Sequence, residues 1–167
     1  LSAAAELIEL HRTYDEPLWR EFRGIARGSG VPEADLLACN GLTDIRDRIL
    51  METPCRPEPP TGDVGECTTF GASAEATRGA PIIGQTWDMH PDARHFLVVV
   101  RREPCDAPAT LSLTTVGCLC LTGFNSEGVG ICTSNLVPTD AAPGVCYLFS
   151  ISRALRSTSA DEASDLI

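Results

Sequence analysis

Lysine is absent from this sequence of 167 residues: all 13 basic side chains are arginine. Within these residues that excludes a lysine Schiff base, a P-loop lysine and a Ser–Lys dyad. Long apolar runs are missing too, none approaching the about 20 residues of a membrane-spanning helix, so no membrane partner is expected. With 23 acidic residues, a net charge of −10 and no basic cluster, the chain matches phosphate backbones poorly. Nucleic acid is not expected as a partner. The eight cysteines, at 39, 55, 67, 105, 118, 120, 132 and 146, include no C-x-x-C pair, which argues against a zinc ribbon or thioredoxin-like site. No metal or organic cofactor is implied. The stretch from Leu1 to Leu10 carries Glu6 and Glu9 without a basic flank, unlike a signal peptide. Several cysteines sit in apolar segments, so reduced thiols in the cytoplasm are the expectation.

What is present is an ordinary globular balance, 43% hydrophobic and 22% charged, with the order of an α+β protein. The first 50 residues read as helical. Pro17 is expected to interrupt them, a second helix to run from about Leu18 through Ala26 to the Gly28-Ser29-Gly30 break, and Pro32 to open a third through Ala38. The run 53–65, rich in proline and glycine, reads as an exposed connector ending just before Cys67. Beyond it come expected strands over Thr68–Ser73, Pro81–Asp88, His95–Val100, Thr110–Val116, Leu119–Phe124 and Val129–Leu136. Asn125-Ser126-Glu127-Gly128 makes the turn between the last two. Helical spacing returns over Tyr147–Arg156, with Leu148, Ile151 and Leu155 on one face. Ser159 with Glu162 reads as a capping box for a last helix, whose apolar face begins to repeat at the chain's end, so the natural protein is expected to continue past Ile167.

Cys67 stands apart from the other cysteines by position, between a flexible peptide and a strand. A peptide so placed can be strained until the thiol attacks the preceding carbonyl, here that of Glu66. Cleavage of Glu66–Cys67 leaves Cys67 as a new N-terminus, and its α-amine, with an ordinary pKa of about 8, can then act as the thiol's own base.

Cys67-Thr68-Thr69-Phe70 followed by Gly84-Gln85-Thr86-Trp87-Asp88 resembles the start of the mature subunit in the acyl-coenzyme A:isopenicillin N acyltransferase family. That family is similar in its wider fold to penicillin V acylases and bile salt hydrolases. The stretch from Arg23 to Val31, continuing to Asp35–Asn40, is similar to the family's pro-segment. Leu121 to Gly130, leading to Asn135-Leu136, is similar to its later hairpin. The resemblance implies an N-terminal-nucleophile (Ntn) αββα four-layer sandwich, of which this chain supplies the N-terminal part: a helical pro-segment 1–66, retained as a subunit after cleavage, and the first part of the catalytic domain, 67–167. The implied activity is hydrolysis or transfer of the acyl group of a small linear amide through a Cys67 thioester. Asp88 matches an aspartate that holds the new ammonium, and Asn135 matches an amide near the oxyanion. Gln85 and Trp87 are the expected substrate-binding residues, with Trp87 equally readable as core. The family often has glycine where Glu66 stands and asparagine where Thr86 stands.

Other readings remain beside this one. A papain-type Cys–His hydrolase would draw its base from His90, His95 or His11. Non-catalytic alternatives are an inactive family member and a cysteine-rich binding module.

Overall fold

The computed structural model describes residues 2–52, 67–136 and 140–167; the connector 53–65, Cys55 and Glu66 lie outside the described residues. The chain opens with α1 (Ser2–Tyr14), α2 (Glu16–Ser29), α3 (Glu33–Asn40) and α4 (Leu42–Glu52). The break expected at Pro17 falls between α1 and α2, and Pro17 itself sits in the first turn of α2, where the N–H it lacks would have had no helical partner. Asp15 caps that helix, its carboxylate accepting the Leu18 N–H at 2.9 Å. Gly30, at φ 72°, closes it by donating to the Ala26 carbonyl at 2.9 Å, a left-handed cap that favours glycine.

Two antiparallel sheets follow, so the fold is α+β. The first is a ribbon of β1 (Thr69–Ala72) and β2 (Ile82–Gln85), with Thr69 opposite Gln85. A short helix, α5 (Ala74–Thr77), stands in the connection, capped by Ser73. The second sheet is a meander in the order β3 (Leu97–Arg102), β4 (Thr110–Thr115), β5 (Thr122–Asn125), β6 (Gly130–Ile131). His95 and Phe96, expected in a strand, instead end a 3-10 helix (Pro91–Phe96). Pro91 fixes its first turn, and the His90 ring accepts the Asp92 N–H at 3.4 Å. The expected strand Val129–Leu136 pairs only over Gly130 and Ile131. Past that point the Thr133 N–H turns to the side-chain oxygen of Gln85 at 2.7 Å, so the ladder stops. Two helices end the chain, α6 (Tyr147–Ala154) and α7 (Ala160–Asp165). Ser159 caps α7 as expected, accepting the Glu162 N–H at 3.2 Å, while Glu162 reaches back to the Thr158 N–H at 2.8 Å.

The core lies between the opening helices and α6. Phe22, Leu37, Leu119 and Phe149 are fully buried in it. Phe22 stacks on Trp19 at 5.0 Å and meets Phe149 at 5.6 Å, a favourable aromatic packing. Leu148, Ile151 and Leu155 are all buried, in keeping with the face read from their spacing. One side of the meander, bearing Ser112, Thr114 and Asn125, is buried toward the helices. There Arg102 of β3 pairs with Glu21 of α2 at 2.6 Å. The other side carries Val99, Leu111 and Phe124, all exposed, with Phe124 directly opposite Leu111 and Val99 diagonal to it. Together with Ile83 of β2 they border an open apolar groove of about 330 Å³. Among the described residues no helix is long and apolar enough to cross a membrane.

Candidate functional site

Cys67 stands two residues ahead of β1 and is half-buried. The ribbon continues toward it: the Thr86 N–H donates to the Thr68 carbonyl at 2.8 Å, and the Thr68 N–H donates to the Thr86 hydroxyl at 3.1 Å. Extending the pairing of Thr69 with Gln85 sets Cys67 opposite Trp87; Asp88 is the next residue along, which an extended ribbon turns to its other face. Asp88 is exposed, at the surface beside Trp87, Met89 and His90. Trp87 packs partly buried against the main core.

The third sequence block reaches the same place from the other sheet. The Ser134 hydroxyl donates to the Cys67 carbonyl at 3.4 Å, and Asn135, the next residue, is exposed. The amide oxygen of Gln85, expected to meet substrate, is taken by the Thr133 backbone at 2.7 Å. That bond fixes the segment carrying Asn135 against the ribbon carrying Cys67. The three blocks therefore meet at Cys67, Gln85 and Thr133-Ser134. Asn125 does not join them. Its amide donates to the Leu155 and Ser157 carbonyls at 3.0 and 2.7 Å, and its oxygen accepts the Glu127 and Val129 N–H groups. It holds the hairpin turn to the end of α6.

Thiol chemistry separates the cysteines. Burial pushes the Cys118 thiol up; it pushes Cys120 to about 11 and Cys146, with the Asp44 charge nearby, to about 12. These three stay protonated at neutral pH and are poor nucleophiles.

Sequence reasoning missed two residues here. Tyr147, the first residue of α6, has its phenol held neutral, chiefly by burial and further by the Asp44 carboxylate. Its spacing, four before Ile151, was the available signal. Asp44 of α4 accepts the Tyr147 backbone N–H, and burial raises its carboxyl; its second oxygen is buried with no hydrogen-bond partner. A carboxylate at a helix N-terminus is favourably placed, but only the tertiary fold brings α4 to α6.

The histidines go elsewhere. His11 is fully buried: its Nδ1 donates to the Leu7 carbonyl at 2.8 Å and its Nε2 accepts the Cys146 N–H at 2.8 Å. Both ring nitrogens are occupied, leaving no site for a thiol proton. His90 and His95 are exposed on the 3-10 helix and its cap. Among the described residues no cluster of three or more His, Cys, Asp or Glu side chains suits a metal ion.

No protein-family model matches this chain, and no curated protein matches it.

Proposed function

We propose that the chain carries the nucleophile-bearing part of an autoproteolytic Ntn amide hydrolase or acyltransferase, with Cys67 as nucleophile. The observation supporting this most directly is the meeting of the three sequence blocks at Cys67: Ser134, beside Asn135, bonds to its carbonyl, and Thr133 bonds to Gln85 of the block that carries Trp87 and Asp88. In processing, the Cys67 sulfur attacks the Glu66 carbonyl carbon. The C–N bond breaks, the nitrogen takes the thiol proton, and a thioester remains. Water cleaves the thioester to a Glu66 carboxylate, a free thiol and a free α-amine. In turnover that amine takes the Cys67 proton, the thiolate attacks the acyl carbon of a small linear amide, and the proton leaves on the departing amine. The Asn135 amide stabilises the oxyanion, and Asp88 holds the ammonium of Cys67. Water or an acceptor amine then releases the acyl group.

The same proposal accounts for the helices. Residues 1–66 would be a pro-segment retained after cleavage, because Phe22 and Leu37 are buried in one core with Phe149. The exposed apolar face of Val99, Leu111 and Phe124 suits a second β layer, as in a four-layer αββα sandwich. The papain-type alternative loses His11, whose two nitrogens are already bonded. A reducing, cytoplasmic setting belongs to this reading.

Intact-mass measurement and N-terminal sequencing of wild type beside Cys67→Ala provide the test. The expected result is a wild-type fragment beginning Cys-Thr-Thr-Phe, with the variant whole. Two uncut proteins would overturn autoproteolysis and favour an inactive member of the fold.

A further inference from the structure

Cys39 is the next-to-last residue of α3, and its carbonyl oxygen lies 3.7 Å from the Cys118 sulfur. Asn40 clamps the same loop on both sides of Cys118. Its amide donates to the Gly117 carbonyl at 3.1 Å, and its oxygen accepts the Leu119 N–H at 2.9 Å. Gly117, at φ 86°, makes the tight approach: a side chain there would stand 3.1 Å from Leu36 of α3. Cys39 is exposed and Cys118 is buried, and both are free thiols. Each also lies within electrostatic reach of the other. A disulfide spans α-carbons about 4.4–6.8 Å apart, a separation within reach of two segments clamped this closely.

We propose that Cys39 and Cys118 are a modification site, converted by low-molecular-weight disulfides into an intramolecular cross-link between α3 and the loop before β5. The exposed Cys39 thiolate attacks one sulfur of oxidised glutathione, expelling one glutathione thiolate and forming a mixed disulfide. In a slower second step Cys118, whose thiol burial keeps mostly protonated, gives its proton to solvent base, attacks the Cys39 sulfur and expels the second glutathione thiolate. Two protein thiols are oxidised, one glutathione disulfide is reduced to two thiols, and the two protons pass to the released thiolates. Asn40 holds the Cys118 loop against the end of α3 while the second step takes place. The cross-link itself is independent of processing. Its consequence rests on the cleavage reading above: with Glu66–Cys67 cut, Cys39 and Cys118 fall on different chains, and their disulfide becomes the covalent bond between them.

The test uses full-length protein carrying Cys67→Ala, which removes the competing thiol. It is incubated with reduced or oxidised glutathione, quenched by alkylation and mapped as peptides. The expected outcome in oxidised glutathione is loss of two alkylatable thiols and a linked pair containing Cys39 and Cys118. Cys39→Ser, at an exposed position and with its fold checked by circular dichroism, is expected to remove that pair. The proposal is overturned if both thiols stay alkylatable, if the reaction halts at a mixed disulfide on Cys39, or if either residue joins a different cysteine. Wild type on a denaturing gel separates the two ideas. Cleaved, cross-linked protein runs as one species without reductant and as two with it. An uncut chain with reductant refutes autoproteolysis, while the peptide map still decides the cross-link.

Discussion

Helices α1 and α3 hold His11 at 0% and Asn40 at 1% exposure, whereas the ribbon after Cys67 leaves Phe70 59%, Ile82 52% and Ile83 50% exposed. The polar contacts differ in the same way. His11 and Asn40 reach the backbone of Cys146 and Leu119 across 135 and 79 residues, but Thr68 and Thr86 bond across their own ribbon. Buried, fully paired polar groups specify a unique packing and are costly to disturb. An element with few buried apolar contacts opens at lower free energy. Stability thus resides mainly at the junction of the opening helices with α6 and the loop before β5. The proposed nucleophile rides on a thinner element anchored to that junction by Trp87.

Three substitutions and one titration probe this contrast. Phe22→Ala empties a site in the shared core and is expected to cost about 3–5 kcal/mol, read as a lower urea midpoint. If the ribbon and the helices unfold in one transition, that loss will also raise amide exchange throughout β1 and β2. Asn40→Ala is expected to cost less, about 1–3 kcal/mol for the Leu119 N–H left unpaired in the interior. An Asn40→Ala midpoint equal to wild type would mean that the clamp contributes nothing and that the contrast rests on apolar packing alone.

Acid should act on the helical region through His11. Burial lowers its pKa from 6.5, against the opposing pull of the Leu7 carbonyl. Between the lowered value and 6.5 the unfolded chain binds a proton that the folded chain refuses. Stability is therefore fully present above 6.5 and falls as pH drops below it, levelling off past the folded value. Asp44, beside the same helix end, works in the opposite sense: its carboxyl is raised from 3.8, so its contribution grows as pH falls through its own range. Thermal midpoints of wild type and His11→Gln from pH 7.5 downward check this. Wild type should lose stability and the variant should run flatter; parallel curves would assign the acid response elsewhere.

Much of this architecture was legible because its signals are local. Asp15, Pro17 and Gly30 mark the ends of α2, Ser159 with Glu162 marks α7, and Asn125–Gly128 marks a hairpin. Two strands were misread where one local rule met another. Alternating apolar residues suggested a strand from His95, but Pro91 and Asp92 had already begun a helical turn. The apolar run after Val129 promised a long strand, yet its backbone is diverted to the Gln85 side chain. At the site, motif order brought Cys67, Asp88 and Asn135 to notice. The supporting contacts did not show, because Ser134 and Cys67 are 67 residues apart and His11 and Cys146 are 135 apart, and no periodicity encodes such pairings.

Thr86→Ala makes the smallest expected change in stability and sharpens the comparison most. The Thr86 hydroxyl accepts the Thr68 N–H at an exposed position, so water replaces it and unfolding should shift by no more than about 0.5 kcal/mol. The same hydroxyl holds the residue next to the nucleophile, and a small misplacement of a reacting group costs up to about 100-fold in rate. Self-cleavage should therefore slow by about 10-fold or more at nearly unchanged stability, and Thr86→Ser should restore it by keeping the acceptor. Quenched time courses read by intact mass, beside urea midpoints of all three proteins, measure both quantities. If stability and cleavage fall together, the ribbon is part of the folding core after all. If neither moves, the Thr68 N–H does not position Cys67, and the bond from Ser134 to the Cys67 carbonyl becomes the contact that holds the nucleophile.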